Sequence, residues 1–249
     1  MRNKSFIQLK KVQNPSLRII CFHHAGGSAG AFNSWRKIFD PQVEIYSAQL
    51  PGRENRLGEP LCNNMKDVQY SLFNDFLKLP DLPFIFFGHS LGGFVAYELA
   101  KNLYLSKGLL PKHLIIASIG APHMPPRVNN TYQLNDSKFI DEISKYGALP
   151  KEIVQDKEFK SLFLPIIKSD FNISESYFYK EPFILDCNIT SIVGDSDHSC
   201  FLVDSMGWKE YTSKKFHNVV FPGAHFFIKD NFNELIKLIQ QIIDGELPK

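Results

Sequence analysis

The chain has 249 residues, 44% of them hydrophobic and 22% charged, which suits a globular protein with a sizeable core and excludes a disordered chain. The formal net charge is only +2 and the charges are mixed along the chain, so there is no clustered basic footprint for nucleic acid. No apolar run approaches the roughly 18 residues of a membrane span, and the basic N-terminus lacks the apolar segment of a signal peptide.

Short apolar runs alternate with helical patterns. Strands are predicted at residues 17–22, 43–48, 84–88, 113–119, 188–194 and 216–221. Helices are predicted at 31–39, 65–79, 91–107, within 203–213 and at 231–243, the last with Leu235, Ile236, Leu238, Ile239, Ile242 and Ile243 as its buried stripe. This alternation predicts right-handed βαβ units and a mainly parallel α/β sheet flanked by helices. The rhythm breaks from about 122 to 186, where a Pro-rich loop precedes helical patterns at 136–146 and 151–168 and the aromatic stretch Tyr177-Phe178-Tyr179. An insertion there reads as a helical lid over the carboxyl ends of the strands, where open α/β sheets bind ligands. The alternative is a helical excursion that only adds core. Residues 1–249 are read as one domain carrying this insertion. Cys21, Cys62, Cys187 and Cys200 form no C-x-x-C pair, so buried thiols in a reducing cytoplasm are expected, with no metal or disulfide framework.

The run Phe84-Ile85-Phe86-Phe87 leads into Gly88-His89-Ser90-Leu91-Gly92 and then an amphipathic segment. Strand, sharp turn and helix are the setting of a G-x-S-x-G nucleophile elbow, with Ser90 exposed above the sheet edge. A serine hydroxyl needs a base oriented by an acid, and on this architecture the chain order is Ser, Asp or Glu, His. His225, just past the last strand, is the candidate base. Of the other histidines, His217 starts the preceding strand, and His198, His113 and His123 are expected at the surface. His89 should point away from the serine hydroxyl, and His23 and His24 should shape the pocket. Asp195 and Asp197 both follow strand 188–194; Asp197, three places after Gly194, is the chosen acid and Asp195 a turn residue. The backbone N–H groups of Leu91 and Ala25, the latter in the loop Phe22-His23-His24-Ala25-Gly26-Gly27-Ser28, are the expected oxyanion donors.

The motifs His23-His24-Ala25-Gly26-Gly27, Gln49-Leu50-Pro51-Gly52-Arg53-Glu54 and Gly88-His89-Ser90-Leu91-Gly92-Gly93, with Leu164-Pro165 to Asp170-Phe171 and the block around His225, resemble the stand-alone type II thioesterases of nonribosomal peptide and polyketide synthases. The resemblance spans about residues 17–243 and implies an α/β-hydrolase fold. It implies Ser-His-Asp hydrolysis of acyl groups stranded on the phosphopantetheine arm of carrier proteins, with Ser90, Asp197 and His225 as triad. It implies no cofactor of its own, no nucleic-acid or membrane partner, and a monomer. His23-His24 departs from the proline or aromatic residue expected there, and Lys168 stands where an arginine is common, which implies a weaker or differently shaped salt bridge. Arg53 is read two ways, as a contact for the carrier's phosphate or as a loop residue pairing with Glu54 or Glu59. Two other functions fit the same residues: a carboxylesterase for small esters, and a catalytically silent module that binds carrier proteins.

Overall fold

In the computed structural model of the chain, which describes residues 3–127, 129–147 and 156–245, the apolar runs form a seven-stranded sheet in the order β1-β3-β2-β4-β5-β6-β7. The strands are β1 (Phe6–Lys10), β2 (Leu17–Phe22), β3 (Val43–Ala48), β4 (Phe84–His89), β5 (His113–Ala117), β6 (Asn188–Gly194) and β7 (Phe216–Phe221). Strands β2 to β7 are parallel, and β1 pairs antiparallel with β3. The α/β architecture is as expected, and β1 is an addition to it. Its five residues carry one buried side chain to each face, Phe6 and Leu9, which is too short a pattern to stand out beside the lysines around it.

The central strands are apolar on both faces because both faces are covered. Alternate residues divide cleanly. Ile20, Phe22, Phe86, Leu114 and Ile116 join one core with α1 (Met65–Phe76) and α2 (Leu91–Lys107). Ile19, Cys21, Ile85, Phe87 and Ile115 join the other. That second face is closed by a 3-10 helix, Ala29–Lys37, through Phe32 and Trp35, and by the C-terminal helix Phe232–Asp244 through Leu235, Leu238, Ile239 and Ile242. The period of 2 along each strand sorts the side chains between the layers. Several predicted helices differ in kind or extent: residues 31–39 are 3-10 rather than α, the helix from Met65 stops at Phe76, short of the prolines Pro80 and Pro83, and the helix predicted to end at 168 runs on to Ser176.

Between β5 and β6 the described residues hold no strand of the sheet. They form α3 (Asp136–Ser144) and α4 (Lys157–Ser176); residues 151–155 of the predicted second helix lie outside the described residues. The two helices share a small core of their own, Phe139, Ile140, Ile143, Leu164 and Ile167. Lys168 joins them through Asp136 Oδ1 at 2.6 Å and the Leu134 carbonyl at 2.9 Å, so the lysine makes a salt bridge within the insertion. After β6 come the short α5 (Leu202–Met206) and a 3-10 turn, Gly207–Tyr211; after β7 come α6 (Phe227–Asp230) and α7 (Phe232–Asp244). One histidine expected at the surface is not there. His113 opens β5 between two neighbouring strands, is buried, and shares a 2.7 Å hydrogen bond with Thr190 Oγ1. His123 is half-buried and stacks on Tyr211. Among the described residues, no helix is long and apolar enough to cross a membrane.

Candidate active site

Ser90 lies between β4 and α2 with φ 54° and ψ −126°, a strained backbone that a non-glycine residue holds only when its surroundings enforce it. The enforcement comes from close approach. A Cβ on Gly88 would lie 2.3 Å from the Gly92 carbonyl oxygen, and one on Gly92 would lie 2.1 Å from that of Phe22. The two glycines of G-x-S-x-G therefore let β4 and α2 turn on each other above β2, and the Ser90 amide is tied to the Ala117 carbonyl of β5 at 2.7 Å. The Leu91 amide, in the first turn of α2, has no partner within its helix.

His225 is held at both ends. Its backbone carbonyl accepts from His89 Nε2 at 3.0 Å and from Ser118 Oγ at 2.9 Å, both buried. Its Nδ1 lies 2.9 Å from Asp197 Oδ2. Asp197 is buried, and its other oxygen accepts from the Ser199 amide at 2.9 Å and the Ser199 hydroxyl at 2.7 Å. Burial pushes the Asp197 carboxyl up, but the bonds from His225 and Ser199 outweigh it and hold the group below the usual carboxylate range. An ionised acceptor there places the imidazole proton on Nδ1, leaving Nε2 as the proton acceptor. Asp195, the other candidate acid, is exposed and accepts from the Gly223 amide at 2.9 Å, as a turn residue does. His198 is exposed.

His89 points away from the serine and holds the His225 loop, as its bond shows. Burial, followed by the proximity of His225, lowers its pKa to about 3, so it stays neutral. Two supports escaped the sequence reading. Ser118, with φ 57° just past β5, carries no local signal of its role. Ser199 also approaches His225 Nδ1 at 2.9 Å; its place two residues after the acid was the only clue.

The loop after β2 presents Ala25. The His24 carbonyl meets the Gly27 amide at 2.9 Å and His23 Nδ1 at 2.9 Å. Because the peptide is planar, the Ala25 N–H of the same unit points the opposite way, and it donates to nothing among the described residues. His24 lines the cavity, as expected, but His23 does not: it is buried, and its Nδ1 meets the carbonyl of its neighbour in the loop, His24. Burial and the Arg53 charge lower the His23 pKa to about 4.

Ser90, His225, Ala25 and His24 all border one cavity of about 220 Å³. Its opposite wall comes from the insertion, with Ile143 and Tyr146 near α3 and Ile167, Phe171 and Glu175 on α4. The lining is mainly apolar, which suits an acyl chain beside a serine.

Arg53 does neither thing expected of it. It is buried and grips Asp170 of α4 through both terminal guanidinium nitrogens, Nη1–Oδ2 at 2.6 Å and Nη2–Oδ1 at 2.9 Å. Glu59 pairs with Arg56 instead, at 2.6 Å, and Glu54 accepts from Ser28. A guanidinium sealed against a carboxylate is not offered to a phosphate.

The profile of the thioesterase domain family matches residues 17–243. The chain is 32% identical over 237 residues to the gramicidin S biosynthesis protein GrsT of Aneurinibacillus migulanus, covering 95% of this chain and 93% of that one. It is 32% identical to the human medium-chain S-acyl fatty acid synthase thioesterase, covering 97% and 92%. The solved type II thioesterase BorB, from the borrelidin biosynthetic cluster, superposes with a TM-score of 0.86 at 26% identity, over 95% and 96% of the two chains. The chain belongs to the thioesterase family, and within it is a type II thioesterase of the α/β-hydrolase fold.

Proposed function

We propose that the chain releases acyl groups from the phosphopantetheine arm of carrier-protein domains, regenerating nonribosomal peptide or polyketide synthases blocked by wrong or stalled acyl units. The observation that carries this reading is the convergence on one mainly apolar cavity of an elbow serine, an imidazole paired to a buried carboxylate, and a loop amide with no partner among the described residues.

The roles follow from the chemistry. Ser90 Oγ attacks the thioester carbonyl while His225 Nε2 takes its proton. Asp197 holds the imidazole in the required tautomer and stabilises the imidazolium. The Ala25 and Leu91 amides receive the negative oxygen of the tetrahedral intermediate. Collapse breaks the C–S bond, and the pantetheine sulfur leaves with the proton from His225. Water then attacks the acyl-Ser90 ester through the same base, giving the free acid and the regenerated serine. Every group needed is a side chain or amide of this chain, so the reading includes no cofactor. Residues 1–249 act as one domain, with the insertion at about 122–186 as its lid. Four buried free cysteines support a reducing cytoplasm as its setting, and a monomer is the working state.

The test follows acyl-pantetheinyl carrier proteins by intact-protein mass spectrometry with wild type and Ser90→Ala. Loss of the acyl mass with wild type alone is the expected result. An intact acyl carrier beside rapid cleavage of simple oxygen esters would overturn the carrier assignment in favour of a carboxylesterase.

A further inference from the structure

Two motifs of the sequence have no part in the mechanism above: the Arg53 loop and the Asp170-Phe171 pair of α4. They meet at the oxyanion loop. Gly26 has φ +74°, and a Cβ there would lie 2.7 Å from Ile167 Cγ1 of α4. Glycine is thus required, and a glycine has no side chain with which to anchor its own loop. The anchors come from elsewhere. Asp170 Oδ2 accepts the Gly26 amide at 2.7 Å, and Arg53 Nη1 donates to the Gly27 carbonyl at 3.1 Å while holding Asp170. Ile167 and Asp170, three residues apart on one helix face, therefore act together on Gly26, by contact and by hydrogen bond.

The geometry points to Arg53 and Asp170 as positioning residues that set the oxyanion hole from the insertion side. The inference rests on the proposed role of the Ala25 amide. That amide belongs to a peptide unit fixed through its carbonyl by Gly27 and His23. The next unit is fixed through the Gly26 N–H by Asp170, and the Gly27 carbonyl by Arg53. With these anchored, Ala25 N–H has one direction left, toward the cavity. A role beyond stability also fits the energetics. A buried ion pair is often no more stabilising than apolar residues of similar volume, yet apolar residues could not hold an amide and a carbonyl of the neighbouring loop. The Asp170 carboxylate is almost wholly inaccessible, and both its oxygens are engaged by these partners. Cavity-lining residues of the insertion and the carboxylate that helps orient the oxyanion amide thus lie on the same helix, α4.

The test uses Asp170→Ala, Asp170→Asn and Arg53→Lys in the full chain, assayed on an N-acetylcysteamine thioester. Active sites are counted by end-point fluorophosphonate titration. For Asp170→Ala, kcat per titrated site should fall about 100-fold with KM nearly unchanged, since a misplaced donor acts on the transition state. Asp170→Asn and Arg53→Lys should lose less, about tenfold, because each keeps part of the bonding. Affinity for a trifluoromethyl ketone, whose adduct carries the oxyanion, should fall in step with kcat/KM across the series. A purely structural pair would lower the melting temperature and the titrated fraction but leave kcat per site and ketone affinity at wild-type values, and that result overturns the inference. If Asp170→Ala does not fold, the two conservative variants give the same comparison. A wild type that neither cleaves the thioester nor labels at Ser90 would instead remove the proposed function itself.

Discussion

Ser90 leaves β4, a strand hydrogen-bonded on both sides, and Asp197 and His225 follow β6 and β7 at the same edge of the sheet. Phe171, Glu175 and Ile143 face them from α3 and α4, which reach the rest of the molecule differently. Apart from their small core and Ile173 of α4, which joins the core on one face of the sheet, they are tied down by scattered side-chain bonds. Asp170 reaches Arg53, Tyr177 Oη donates to Glu98 Oε2 at 2.6 Å, and Asn172 reaches the Asn63 carbonyl at 3.0 Å. The sheet side is fixed by ladders and by burial on both faces. Large, continuous apolar burial, at about 25 cal/mol per Å², leaves little freedom to the reacting groups. The opposite wall has less of it, so its shape is set by a few residues and, away from Asp170, can change without disturbing the chemistry. The division assigns the reacting groups to the sheet and acyl-chain scope to the insertion, with Asp170 of α4 as the tie that reaches across to the oxyanion loop.

The sharpest way to break that division is at Ser90. Ser90→Ala should remove turnover, a loss on the order of 10⁶-fold in kcat, while the melting temperature moves by no more than about 3 °C. Substantial residual turnover would end the assignment. For Asp197→Asn the expected loss is about 10⁴-fold, because the wrong imidazole tautomer then faces the serine; steady-state kinetics on a small thioester measures it. On the other wall, Phe171→Ala should leave the best kcat within about threefold but shift the ratio of kcat/KM toward longer acyl chains by roughly tenfold. Phe171 lines the cavity and packs edge-on against Phe139 and Tyr146. An unchanged chain-length profile would take acyl scope away from the insertion.

The smallest effect concerns stability on the sheet side. His113 is kept neutral by burial and by the charge of His217, its pKa lowered from 6.5 to about 4. Below 6.5 the unfolded chain binds a proton that the folded chain refuses, so stability falls as pH drops from 6.5 toward 4. This one group contributes a slope approaching 1.4 kcal/mol per pH unit in that window. His113→Asn should flatten the thermal stability profile there and leave the profile above pH 7 parallel to wild type. An unaltered acid slope would mean that His113 titrates normally.

The same division governs what could be read from the residues alone. Six strands and the elbow follow from local patterning, because a strand buried on both faces must be apolar throughout and a close crossing must be glycine. Asp197 and His225 follow from order and spacing, since each ends a strand. Arg53 was misread because its partner lies 117 residues later in α4, and no local rule connects a loop arginine to a helix aspartate at that distance. His113 was misread for a related reason: a polar residue opening a strand looks like a boundary, and only the neighbouring strands show it to be enclosed. Ser118 and His23 act on backbone carbonyls, contacts that any hydroxyl or imidazole could make and that leave no pattern.

The most direct test is to locate the acyl group during turnover. An acyl-pantetheinyl carrier protein is mixed with the enzyme, quenched in acid within the first turnovers, and the digested enzyme is mapped by mass spectrometry. The account predicts the acyl mass on Ser90 alone. Acylation of Ser199, whose hydroxyl also touches the His225 imidazole, or cleavage with no acyl-enzyme and full activity in Ser90→Ala, would contradict it.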